Sequence, residues 1–224
     1  MKTNLLGTFL ILLLSLGSRS VFAQVEQVTD LTVSDPAGMV ATIDQYIASG
    51  ENKAQSVSLL THLHDGVDPT THTVVGIYDS LATLEASMEA RADSAAWATL
   101  ARSAASISKV NSTLLAIQRR TWGNNAWSEG DYLAAVMVNA DSDASWLAAM
   151  DQWNQTNKVK NPGMVRIVRL RGAPATHAVL LVSPSYAGLI NFMEAVEASN
   201  EFATLRSAAE ADTVGSTIYR VTKV

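Results

Sequence analysis

Between positions 28 and 118 the spacing of apolar residues changes several times. Over 28–33 apolar and polar residues partly alternate, which predicts a strand. Met39, Ile43 and Tyr46 then recur at helical spacing, and Val40 and Ile47 widen that face. Ser56–His64 and His72–Tyr78 read as two more strands. Between them lies the turn-forming run Asp65-Gly66-Val67-Asp68-Pro69. Leu81, Leu84 and Met88, then Trp97, Leu100 and Ala104, mark a long or broken helix, and 112–118 closes the series with a fourth strand.

The same series follows again. Strands are predicted over 132–138, Met164–Arg171, His177–Ser183 and 216–221. Trp146, Met150 and Trp153 hold the spacing of Met39, Ile43 and Tyr46. Leu189, Met193 and Val196, then Phe202 and Leu205, mark the second long helix. At a constant offset of 105, residues 71–110 align with 176–215 without a gap and share 14 of 40 residues. Alanine inflates such a count, but the matches include His72/His177, Ser80/Ser185, Met88-Glu89/Met193-Glu194 and Leu100/Leu205. The expected division is a first unit over 24–120, a linker over 121–130 and a second unit over 131–224.

The order strand-helix-strand-strand-helix-strand is the split, ferredoxin-like pattern of the α+β class. Such a unit has helices on one face of its sheet. Its third strand is apolar on both sides here, Val74 and Tyr78 against Val75 and Ile77, so both faces need cover. The simplest arrangement packs the two sheets against each other as an intramolecular α+β barrel, a monomer with an internal pseudo-dimer.

Two segments carry a family resemblance. Ser-x-x-x-Leu-x-x-x-Met-Glu occurs at 80–89 and 185–194, and Ser-x-x-aromatic-Ala-Thr-Leu at 94–100 and 199–205. In this order the chain resembles the dimeric α+β barrel proteins, including antibiotic-biosynthesis-monooxygenase-like domains. The resemblance implies two sheets around a central cavity. Within that superfamily it implies cofactor-independent oxygenation, haem binding, degradation of small aromatics, or no activity at all. No catalytic motif transfers residue by residue.

The N-terminus changes the picture of where the protein works. Lys2, the apolar run 5–16 and the small residue ending Val21-Phe22-Ala23 form a secretory signal, with cleavage expected after Ala23. A periplasmic or secreted location follows, with no membrane attachment once the signal is removed. Cleavage would remove Lys2 and Arg19, leaving 14 basic against 21 acidic residues. An acidic chain with 6% aromatic residues lacks the footprint of a nucleic-acid binder. There is no cysteine, which removes disulfides and thiolate chemistry. No glycine-rich phosphate loop and no nucleophile elbow occurs, so no nucleotide or other cofactor is implied by motif.

Histidine and arginine supply the candidate chemistry. His62 and His64 lie two apart on a strand and would share a face. If the turn sets His64 opposite His72, three imidazoles converge as a metal or haem site. The alternative is a solvated strand end. His72 and His177, related by the repeat, could line the space between the sheets with Arg169 and Arg171 and orient a carboxylate or enolate. The alternative is that each histidine satisfies its own strand start. Trp146, Trp153 and Trp97 sit at core spacing. Trp122 and Trp127 fall in the linker and would pin it to the domains or, as the alternative, cap the cavity. The leading expectation is a small-molecule-binding or enzyme-like protein. A non-catalytic binding or assembly protein, and a metal or haem protein, stand beside it.

Overall fold

The computed structural model describes residues 24–64, 69–124, 126–159 and 163–223. The expected secretory signal and residues 65–68 of the expected turn lie outside them. The first half runs β1 (Val25–Val33), α1 (Pro36–Ala48), β2 (Ser56–His64), β3 (His72–Tyr78), α2 (Leu81–Ala92), α3 (Ala95–Ile107) and β4 (Ser108–Gly123). The second runs β5 (Tyr132–Ala140), α4 (Asp143–Thr156), β6 (Met164–Arg171), β7 (His177–Ser183), α5 (Tyr186–Glu197), α6 (Asn200–Ala209) and β8 (Ala211–Lys223).

The long or broken helix is broken in both halves, and the matched serines explain the break. Ser80 and Ser185 accept the backbone N–H of Thr83 and Gly188 at the starts of α2 and α5. Ser94 and Ser199 do the same for Trp97 and Phe202 at the starts of α3 and α6. Each cap satisfies a donor that the helix start would leave bare, an effect of about 1 kcal/mol.

The strands form one closed antiparallel barrel in the order β1-β3-β2-β8-β5-β7-β6-β4. Two separate sheets packed face to face is therefore not the arrangement. The halves are joined at their edges, where β2 pairs with β8 and β4 with β6. Closure leaves no long unpaired edge at the barrel waist, which is the physical advantage over an open sandwich. It also explains why β4 and β8 outrun the strands read from the sequence. Each serves both halves: β4 pairs with β1 from Ser108 to Ile117 and with β6 from Leu115 to Gly123. The expected linker thus begins as strand.

Strand alternation sorts the side chains into two layers. Leu60, Val75, Ala135, Val168, Leu180 and Tyr219 face inward and form one cluster that contains no helix residue. Leu59 and Leu181 face outward and pack beneath the helices. A buried ion pair, Glu26 with Arg166, crosses the barrel interior from β1 to β6. Trp127, from the segment between the halves, closes that end. Its indole N–H donates to Ser58 Oγ (3.0 Å) and its ring lies 5.2 Å from the Arg166 guanidinium.

Candidate functional site

The histidines and arginines singled out by sequence are dispersed. His72 and His177 face outward, beside Leu31 and Val138 respectively, and not into the barrel. Both make the same local bond, from Nδ1 to the hydroxyl of the preceding threonine, at 2.9 Å in each case. Those hydroxyls accept the N–H of Val33 and Ala140, so each Thr-His pair clamps the end of the neighbouring strand. His177 and Arg169 also converge on Asp143, the first residue of α4, at 2.8 and 3.2 Å, with Arg119 at 3.6 Å. Burial would raise the Asp143 carboxyl, but hydrogen bonds from His177 and Arg169 and the charge of Arg119 hold it below its usual range. Arg171 is exposed and sits opposite Leu115 of β4.

The three-imidazole arrangement is not formed. Thr61, not His64, lies opposite His72. The pairing of β2 with β8 slips at Leu63, so His62 lies opposite Tyr219 and His64 opposite Ile218. Such a bulge turns a side chain to the other face. His62 therefore points into the barrel, and His64 points out to the Tyr186 hydroxyl at 3.0 Å. Among the described residues no group of three or more His, Cys, Asp or Glu is placed to hold a metal.

Burial lowers the His72 pKa from its ordinary value of 6.5, with a further contribution from His62. A depressed folded-state pKa means that the unfolded chain binds the proton more readily. Stability contributed by neutral His72 is thus fully present above about pH 6.5 and is lost as pH falls below it. Urea titrations at pH 7.5 and pH 5.0 should show a larger acid-induced loss for the parent than for His72→Gln. Equal losses would mean that His72 does not carry this linkage.

The barrel interior is nearly filled. Its cavity of about 70 Å³ has room for only a water or two. At the end away from Trp127, Thr73 Oγ1 donates to Asp30 (2.7 Å) and meets His62 Nε2 (2.7 Å), while Ser112 donates to the other Asp30 oxygen (2.7 Å). The Tyr219 ring stands edge-on to His62 at 4.6 Å.

A larger space lies outside the barrel, between the sheet and the helices of the second half. It measures about 460 Å³. Val136, Val138, Val179 and Leu181 form its floor on the strands; Trp146, Met150 and Trp153 of α4 and Phe192 and Leu205 of α5 and α6 form its walls. Its polar residues, Glu197, Arg206, Thr213 and Ser216, are exposed and mark the mouth. Size and lining suit a small apolar ligand.

The repeat explains why this space opens in one half. In the first half, Arg91 reaches across the gap between helices and sheet. It donates to the Tyr78 hydroxyl (2.7 Å) and to Gln27 (3.2 Å) and stacks 4.2 Å above the Trp97 ring. Tyr46 packs edge-on against that ring. At an offset of 105, Tyr78, Arg91 and Trp97 become Ser183, Val196 and Phe202. Three smaller side chains replace three large ones, and two of them, Val196 and Phe202, line the space. The sequence signal was present in these columns, but only the fold shows that Val196 and Phe202 border one gap.

No family model and no curated protein matches this sequence. Solved structures do. A protein assigned as a monooxygenase from Fusobacterium nucleatum superposes with a TM-score of 0.61 at 12% identity, over 90% of this chain and 94% of that one. A protein assigned as a chlorite dismutase gives 0.55 at 9% identity, over 89% and 95%. The chain has the dimeric α+β barrel fold. A haem-binding protein from Thermus thermophilus gives 0.54 at 8% identity, over 89% and 91%. At these identities the likeness is one of fold.

That last likeness makes haem worth testing against the residues present. Haem iron in proteins is held by His, Cys, Tyr or Met. The 460 Å³ cavity is lined by no His, Cys or Tyr, and its sulfurs belong to Met150 and Met193 among packed aromatic rings. The His177 ring, nearest to this layer, has both nitrogens engaged by Thr176 and Asp143. One arginine, Arg206, stands at the mouth to meet two propionates. The residues do not fit a haem.

Proposed function

We propose that this protein is exported to the periplasm or secreted, and that it binds a small apolar or aromatic molecule in the cavity of its second half. In this reading the chain is a tandem duplication of a ferredoxin-like unit that has kept one half as scaffold and opened the other as a site. The observation that carries it is the 460 Å³ apolar space, with every titratable lining residue confined to the mouth. A dry site of this kind can bind, orient and exclude water. It has no buried acid or base to move a proton. An enzymatic form of the reading is monooxygenase-like, which the likeness in fold supports; in this form it would be cofactor-independent.

Titration with two-ring aromatic compounds tests it. Trp146 and Trp153 line the cavity and are two of five tryptophans, so binding should change the intrinsic fluorescence substantially. It should also raise the melting temperature with ligand concentration. Oxygen uptake in the same samples distinguishes the enzymatic form from binding alone. No fluorescence change and no stabilisation across the series would refute the site.

A further inference from the structure

We infer that the ligand presents hydrogen-bond-accepting oxygens, and neither donors nor charges, to the buried end of this cavity. The inference rests on the proposed binding site and adds the chemistry that the site selects. The indole N–H groups of Trp146 and Trp153 are both buried, and neither has an acceptor among the described residues. A buried donor left bare is destabilising. The two tryptophans sit seven residues apart on α4, on one face of the helix, and both rings line the cavity. In the structure each nitrogen is sealed from solvent by its neighbours. The inferred binding mode includes a turn of one ring about its own side-chain bonds, which would bring its N–H from that sealed position to a ligand oxygen in the cavity.

The rest of the lining sharpens the selection. Away from the mouth the walls are hydrocarbon, thioether and aromatic ring, so they offer no side-chain acceptor for a ligand hydroxyl or amine. They offer no cation for a carboxylate either. Once a ring has turned, the buried end of the site has donors only. Ketone, quinone and lactone oxygens suit it on a flat apolar body. Phenols, amines and acids leave an unpaired group there, which is the strongest basis for rejecting an analogue. In the first half the corresponding helix carries Met39 and Tyr46 at these places, with no indole N–H.

The test compares three probes of one shape by calorimetry on the full mature protein: 1,4-naphthoquinone, naphthalene and 1-naphthol. The absence of cysteine keeps the quinone from being trapped by a thiolate. The expected result is that the quinone binds about tenfold or more tightly than naphthalene, with 1-naphthol no better than naphthalene. Trp146→Phe and Trp153→Phe should each reduce the quinone preference while naphthalene still binds. Replacing either residue with benzothienylalanine, which keeps the two-ring shape without the N–H, covers the case where a Phe variant folds poorly. Naphthalene binding as tightly as the quinone would overturn this inference and leave the site standing. Failure of all three probes would overturn the site itself.

Discussion

Arg166→Met and Glu26→Leu should each destabilise the protein by about 3–5 kcal/mol, because each removes one side of a fully buried ion pair. In a chain of this length that is a fall in melting temperature on the order of 10 °C. The double variant should recover most of the loss, because two apolar side chains can fill the same space without desolvating a charge. Burial raises the Glu26 carboxyl and Arg166 pulls it back down. Without Arg166 it rises further, so the folded state holds a proton that the unfolded state releases. Stability of Arg166→Met should then improve as pH falls from 7.5 towards 5, while Glu26→Leu shows no such recovery. Strictly additive losses in the double variant would show that the pair is not coupled.

This pair also shows where sequence reading stopped. Glu26 and Arg166 lie 140 positions apart in different halves, and each reads alone as a charge on a strand. They meet because the barrel closes across the halves, and closure depends on edge pairing that no periodicity encodes. The same pairing of β2 with β8 produced the slip at Leu63 that turned His64 away from His62. Features set by local chemistry were legible. The order of strands and helices followed from spacing, and the recurrence of the serines and of the Thr-His pairs was visible, while their roles as caps and clamps appear only in the structure. Their recurrence drew attention to His72 and His177, whose bonds in the structure hold strand ends together. Trp127 combines the two roles its place in the linker allows: it anchors that segment by entering the barrel, and it caps one end. The candidate site was the least legible feature. It depends on what is missing from the second half, and a missing volume leaves no motif.

Val196→Trp should weaken ligand binding roughly 100-fold and leave the fold intact. Val196 is buried, lines the 460 Å³ cavity, and occupies the place where the first half carries Arg91. That arginine needs the Tyr78 hydroxyl and the Trp97 ring to hold its charge. The second half has Ser183 and Phe202 instead, so returning Arg at 196 would bury a cation without a partner. An indole adds the volume without the charge. Filling a preformed space is commonly neutral or stabilising by up to about 2 kcal/mol. A ligand would then have to displace a packed side chain, and overpacking of about 1–3 kcal/mol together with lost contacts should weaken binding roughly 100-fold. The matching control is Ala86→Trp on the first-half helix α2, an exposed position away from the cavity, which should leave affinity unchanged. Circular dichroism and melting temperature establish the fold, and calorimetry with the two-ring probe reads the affinity. If Val196→Trp melts as the parent does and still binds as tightly, the ligand occupies some other part of the molecule. If affinity falls only in Val196→Trp, the broken symmetry between the halves is the origin of the site.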